Sequence, residues 1–174
     1  MTSVLEDASA TPGRPIRTRF GRRKFDKQPS QSAAVLIAAP MGDPIPPSAV
    51  RAALARSGGG AIAVVTIARI YGSSMGLPNP GLMPTRKEME AQKAQVEKAL
   101  RLIEKGGREA WGQVAASRKP AKTVAQAAKA RGVRQVIVVR TPQAKRWRAV
   151  VEGDIVKDIA RKLGPEVNVE GVSP

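Results

Sequence analysis

Short apolar runs alternate with amphipathic segments from residue 33 onward. Strands are predicted where apolar residues run together, and helices where apolar residues recur every three to four positions. The predicted strands are 33–39, 61–68, 110–116, 135–139 and 166–172, and the predicted helices are 47–56, 85–105, 121–130 and 154–163. Such alternation is typical of an α/β domain with an open, mostly parallel sheet. We therefore predict a five-stranded α/β domain over residues 33–174.

Residues 1–32 lack this periodicity and are rich in Pro, Ser, Thr, Gln and Arg. This composition predicts an N-terminal arm that is disordered when free. Arginines suit phosphates, and phenylalanines suit stacking on unpaired bases or insertion into a protein pocket. A solubilising run of charge is the alternative for the same stretch. The arm residues that we predict to bind nucleic acid are Arg14, Arg17, Arg19, Phe20, Arg22, Arg23, Lys24, Phe25 and Lys27.

Positive charge extends into the body of the chain. The formal net charge is +16, and residues 28–174 keep +12 of it, from 23 Lys and Arg against 11 Asp and Glu. No acidic residue occurs from 110 through 151. A field of this sign favours nucleic acid, ribosomes, acidic proteins or anionic membrane surfaces as partners. The body residues that we predict to bind nucleic acid are Arg118, Lys119, Lys122, Lys145, Arg146 and Arg148.

Two residue types that carry much of enzyme chemistry are missing. The chain has no Cys and no His, which excludes disulfides, cysteine nucleophiles, histidine bases and Cys/His zinc sites. We predict no catalysis, no metal and no cofactor. No apolar run approaches the 18 or so residues of a membrane span, and the N-terminus lacks the order of a signal peptide. A cytoplasmic bacterial protein is expected.

The segment around the fourth predicted strand carries a family resemblance. The strand VIVV, at 136–139, leads into RTPQAKRWRAVVEGDIVKDIAR, which ends at Arg161. This stretch resembles the universal stress protein family, whose corresponding strand leads into a Gly-x2-Gly-x9-Gly-(Ser/Thr) loop and then a helix. The resemblance covers residues 33–172. It implies a Rossmann-like fold and a homodimer paired through the last strand.

The residues at the nucleotide-binding positions of that family are changed here. A side chain in place of a loop glycine restricts the backbone angles and the access of phosphate to N–H groups. Asp154 brings a carboxylate where the family has a hydroxyl, although a helix N-cap alone accounts for it. The sequence therefore predicts no ATP binding in the manner of the family. These degenerate nucleotide-site positions are Met41, Arg140, Gln143, Gly153 and Asp154.

Three functions remain open from the sequence. The leading hypothesis is a non-catalytic binding module that attaches to RNA, such as the ribosome or another large ribonucleoprotein, through the basic arm and a basic face. An alternative is a universal stress protein that binds ATP or AMP. A third hypothesis is a structural or assembly subunit of an acidic protein complex.

Overall fold

The computed structural model describes residues 17–19, 32–70, 83–140 and 154–173; for Arg17–Arg19 and Arg69 only the backbone is described. The strands in this part of the chain are β1 (Arg17–Arg19), β2 (Val35–Ala39), β3 (Ile62–Arg69), β4 (Ala110–Ser117), β5 (Gln135–Val139) and β6 (Asn168–Val172). The helices are α1 (Pro47–Arg56), α2 (Arg86–Lys105), α3 (Pro120–Ala130) and α4 (Ile155–Leu163).

The strands form one sheet in the order β1-β4-β3-β2-β5-β6. Every neighbouring pair is parallel, and Val35 of β2 stands opposite Ile62 of β3 and Gln135 of β5. Parallel strands require crossover connections, and the helices supply them. The predicted α/β fold with an open parallel sheet is confirmed.

The helices cover the sheet on both faces. Alternate residues of a strand point to opposite faces, so Ile37 of β2 packs with α1 and α2 while Leu36 packs with α3 and α4. Both side chains are fully buried. The continuous apolar runs read from the sequence are therefore strands buried on both faces.

The first strand was not predicted. Arg17, Thr18 and Arg19 pair in register with Gln113, Val114 and Ala115 of β4, which adds a short parallel strand at that edge of the sheet. The rest of the predicted arm, apart from Ser32, lies outside the described residues. The boundary between arm and domain at residue 32 stays a prediction.

The long helix α2 begins at a reciprocal cap. The hydroxyl of Thr85 accepts a hydrogen bond from the backbone N–H of Glu88 at 3.2 Å, and the Glu88 carboxylate accepts one from the backbone N–H of Thr85 at 2.7 Å. The two bonds satisfy N–H groups that have no partner within the helix. No helix in the described ranges is both long and apolar enough to span a membrane.

Candidate functional site

A crevice is expected where β2 and β5 lie side by side. The segment after β2 leads to α1 on one face of the sheet, whereas α4, the helix that follows β5 in the chain, packs on the other face. Open parallel sheets bind ligands at such a switch point, outside the carboxyl ends of the strands. The crevice between β2 and β5 is the candidate ligand site.

The loop after β2 is expected to form one wall of the crevice, and a hydrogen bond holds it to α2. Gly42 has a φ of +73°, and a Cβ added there would lie 2.8 Å from Nε2 of Gln92. That Nε2 donates a hydrogen bond to the carbonyl oxygen of Gly42 at 2.8 Å. Met41 and Asp43 flank this glycine and are half-buried. A side chain at position 42 would strain the backbone and displace the amide that holds the loop to α2.

Buried polar atoms without partners lie beside this wall. The Thr66 hydroxyl and the side-chain oxygens of Gln92 and Gln95 have no hydrogen-bond partner among the described residues. Thr66 stands opposite Ala39, the last residue of β2, in the register of β2 and β3. Unpaired buried polar groups are costly, and all three oxygens are enclosed by protein in the free chain.

Arg140 follows β5 directly at the other side of the crevice, and its side chain lies toward β6, the strand on the far side of β5 from β2. Its backbone N–H donates to the carbonyl oxygen of Val172 at 2.8 Å, which extends the pairing of β5 with β6. The Arg140 side chain lies along Gly171, where an added Cβ would overlap its Nε and stand 2.9 Å from its Cζ. The missing side chain of Gly171 therefore makes the space that the arginine occupies. Arg140 is exposed, and no ion pair joins it to a carboxylate in the described part of the chain.

Asp154 is the N-cap of α4. One of its carboxylate oxygens accepts a hydrogen bond from the backbone N–H of Val156 at 3.1 Å. The capping function expected from the sequence is thus present in the structure. Because the carboxylate sits at the N-terminus of α4, it supplies negative charge where a phosphate would otherwise be favoured.

The predicted basic residues of the body do not all meet at the crevice. Arg118 and Lys119 are exposed after β4, and Lys122 is exposed in the first turn of α3. Because β3 separates β4 from β2, this cluster begins about 10 Å from the crevice. The remaining predicted site residues lie outside the described ranges: Arg14, Phe20, Arg22, Arg23, Lys24, Phe25, Lys27, Gln143, Lys145, Arg146, Arg148 and Gly153.

Sequence reasoning missed Thr66, Gln92 and Gly171. Thr66 was detectable as the polar residue of the apolar run AIAVVTIA, and Gln92 as a polar position on the apolar stripe of α2. No local sequence pattern indicates the importance of Gly171, because its contact is with Arg140, which is distant in sequence and follows β5. No group of three or more acidic, Cys or His side chains that could hold a metal occurs in the described ranges.

Comparison with known proteins identifies the fold. No protein-family model and no curated protein sequence matches the chain. Solved structures do match, among them a universal stress protein from Archaeoglobus fulgidus in complex with dAMP, at 16% identity and a TM-score of 0.52, covering 82% of this chain and 98% of that one. The chain has the fold of the universal stress proteins.

Two further universal stress protein structures extend this likeness. One, in complex with cAMP, has 12% identity and a TM-score of 0.54, with 82% of this chain and 98% of that chain covered. The other is a member of the universal stress protein family from Burkholderia pseudomallei, with 12% identity, a TM-score of 0.52 and 80% and 96% of the two chains covered. The resemblance found in the sequence is confirmed at the level of the universal stress protein fold.

Proposed function

We propose that the chain is a nucleotide-binding universal stress protein that holds an adenine nucleotide with a single phosphate between β2 and β5. The observation that carries the proposal is the pair of walls at this switch point. Unpartnered buried polar atoms lie near β3 on one side, and the exposed Arg140 follows β5 on the other. Structures of the same fold are complexes with dAMP and with cAMP, each of which has one phosphate.

The span of the crevice suits a nucleoside monophosphate. The strands β3 and β5 flank β2, so they lie about 10 Å apart. Thr66 and Gln92 are suited to hydrogen bonds with a base at the β3 side, and Arg140 to charge-assisted hydrogen bonds with a phosphate at the β5 side. A few convergent polar groups in an otherwise apolar sheet are typical of small-molecule sites.

Longer phosphate chains are disfavoured at the same site. A carboxylate about 4 Å from a phosphate charge repels it by about 4 kcal/mol at an effective dielectric constant near 20. Asp154 caps the helix at which further phosphates would accumulate. The family glycines at positions 140 and 143 are replaced by Arg and Gln. We therefore expect AMP or cAMP to bind more tightly than ATP.

The test is calorimetric titration of the full chain with AMP, cAMP and ATP. Arg140→Gln keeps a polar side chain and removes the charge, and we expect it to weaken AMP binding at least tenfold, because a hydrogen bond to a charged group contributes about 1.5–3 kcal/mol. Gly171→Ala should weaken AMP binding as well, since its Cβ displaces the Arg140 side chain.

The matched control is Arg134→Gln. Arg134 is also exposed, but it precedes β5 at the opposite edge of the sheet, so its loss should leave AMP binding unchanged. Absence of binding by all three nucleotides at millimolar concentration would refute the proposal. If Arg134→Gln and Arg140→Gln weakened AMP binding equally, Arg140 would have no specific part in the proposed site.

The proposal describes a binding protein and not an enzyme. The chain has no His and no Cys to act as base or nucleophile, and Asp154 is engaged as a helix cap. We accordingly propose reversible binding without turnover, in the cytoplasm. Incubation with ATP followed by chromatography should show no AMP or ADP formed above the rate without protein.

A further inference from the structure

The register of β1 brings two distant basic segments together. Arg17 stands opposite Gln113, and Arg19 opposite Ala115, in a parallel pairing. Parallel strands end at the same edge of the sheet, so the chain leaves β1 beside the carboxyl end of β4. The loop that follows β4 carries Arg118 and Lys119.

The helix α3, which covers the same face of the sheet as α4, continues this basic surface. Ala115 packs on the side of the sheet covered by α3, and the register of β1 places Arg17 and Arg19 at positions on the same side. Lys122 and Lys129 are exposed on α3. They are seven residues apart and therefore about 10 Å apart along one helix face. We call Arg17, Arg19, Arg118, Lys119, Lys122 and Lys129 the basic corner.

The chain segments that carry the basic corner contain no carboxylate. The strand β1 has the sequence RTR, and no Asp or Glu occurs from residue 110 through 151. The long helix α2, on the other face of the sheet, differs in this respect: it alternates basic residues with four glutamates, and Arg86 pairs with Glu90 at 2.8 Å. Mixed charge of that kind is typical of a solvated helix face, whereas unmixed positive charge attracts a polyanion.

Hydrogen bonds order the loop between β4 and α3. Ser117 Oγ accepts hydrogen bonds from the backbone N–H of Lys119 at 3.0 Å and from Thr123 Oγ1 at 2.8 Å. Pro120 occupies the first turn of α3. These bonds order the loop before a partner arrives, which lowers the entropic cost of binding.

The chemistry of the basic corner favours nucleic acid over protein. Protein interfaces depend on apolar or aromatic residues buried at their centre. The described residues between the two basic segments are small or polar: Gln113, Ala115, Ala116 and Ser117. The half-buried Trp111 lies on the same side of the sheet, but at the amino end of β4, away from the loop that carries Arg118 and Lys119. Unmixed cations with no large apolar residue among them match a phosphate backbone, whose recognition is electrostatic and independent of sequence.

We propose that the basic corner binds the phosphate backbone of a nucleic acid. This binding is separate from the nucleotide crevice, so either proposal can fail without the other. About five phosphate contacts to a single strand give a slope near −3.5 for the logarithm of affinity against the logarithm of salt concentration. Doubling the salt then weakens binding about tenfold.

The experiment measures the affinity of the full chain for a fluorescent 20-nucleotide single-stranded RNA over a series of salt concentrations. Lys119→Glu/Lys122→Glu reverses two charges of the basic corner. We expect it to weaken binding at least tenfold and to make the slope less negative by about 1.4, because two contacts are lost. A glutamate in the first turn of α3 is compatible with the helix dipole, so the fold is retained.

The matched control is Lys87→Glu/Lys98→Glu on α2. Both lysines are exposed on the other side of the sheet, and the change in net charge is identical. The control should leave the salt slope unchanged. Equal effects of the two double variants would overturn the proposal. Wild-type RNA affinity and salt slope in Lys119→Glu/Lys122→Glu would also overturn it.

Competitors identify the kind of polyanion. Single-stranded DNA of the same length competing as well as RNA supports recognition of the phosphate backbone, and stronger competition by RNA assigns the 2′-hydroxyl a part in it. Polyglutamate competing as well as RNA, charge for charge, would overturn the proposal in favour of an acidic protein partner. AMP affinity measured on the same variants should not change.

Discussion

Thr66 places a hydroxyl inside an apolar layer. It is fully buried in β3, and by strand alternation it shares the α1 and α2 side of the sheet with Val64 and Ala68. Its Oγ1 has no hydrogen-bond partner among the described residues. Thr66 therefore costs stability in the free protein, and its register opposite Ala39 places it near the candidate ligand site. Gly171 of β6 is explained by a neighbour, because its missing side chain leaves the space that the Arg140 side chain occupies.

The substitution Thr66→Val tests the stability cost and the placement of Thr66. It keeps the shape of the side chain and removes the unpaired hydroxyl, so the free energy of unfolding of the free protein should rise by about 1 kcal/mol and Tm by roughly 2–4 °C. The increase in Tm on adding AMP should become smaller, because one ligand contact is lost. Differential scanning fluorimetry with and without AMP measures both effects.

The variant Thr123→Val shows whether removing any threonine hydroxyl changes Tm in the same direction. The hydroxyl of Thr123 donates to Ser117 Oγ at 2.8 Å, so Thr123→Val should lower Tm. A lower Tm in both variants would contradict the assignment of Thr66.

Two of the described helices, α2 and α4, are stabilised at their N-termini by side-chain caps in addition to their apolar faces. The capping box of α2 is the clearest case in the described ranges. The Glu88 carboxylate accepts hydrogen bonds from the backbone N–H of Thr85 and then from its hydroxyl, and these bonds hold the pKa of Glu88 below its ordinary value. The carboxylate form therefore binds the N-terminus of α2 better than the protonated form does.

The depressed pKa of Glu88 gives stability a defined pH dependence. The contribution of Glu88 to the free energy of unfolding is present above its unfolded pKa, near 4.3, and is lost as the pH falls through the lower folded value. In Glu88→Gln this contribution is absent at every pH, so the wild type should exceed the variant in stability at pH 7 and lose that advantage as the pH approaches 3. Urea unfolding at several pH values measures the difference. Thr85→Ser keeps both donors and should retain the wild-type profile; a constant difference between wild type and Glu88→Gln would contradict the prediction.

The strand β6 is the element most suited to pairing between two copies. Its residues pair with β5 on one side, and no strand covers its other side in the described part of the chain. The Asn168 N–H is bonded toward β5, through the carbonyl oxygen of Arg134, so the alternate N–H groups of Val169 and Gly171 point to the open side. Arg56 fixes the strand to α1 through an ion pair with Glu170 at 2.6 Å.

We predict that the chain forms a homodimer through β6. Val169→Pro removes an N–H from the open side without breaking a bond to β5, so it should convert a dimeric mass to a monomeric one. Light scattering at tens of micromolar gives the mass, and circular dichroism shows whether the fold is retained. A monomeric wild type would contradict the prediction.

At the scale of the whole molecule, the sequence predicts what depends on local pattern. The buried strands and the stop at Gly106 after α2 follow from apolar periodicity and glycine placement, and the structure has them within two residues. The strand β1 could not be predicted, because RTR has no apolar alternation and its pairing depends on the distant residues 113–115. The candidate site was predictable only in part for the same reason: Arg140 and Asp154 follow from the family spacing, whereas the contact of Arg140 with Gly171 depends on the register of two strands.

The pairing of β1 with β4 also bears on how copies of the chain can assemble. A parallel sheet has two edges, and a protein that offers both to its neighbours can grow into an open fibre. Here Arg17 and Arg19 lie along one edge, so a second copy approaching through its own arginines is repelled. In the homodimer that we predict, both β6 edges are paired with each other, and the two β1 edges are left outermost. Because like charge disfavours pairing of those two edges, we expect assembly through the sheet to stop at two chains.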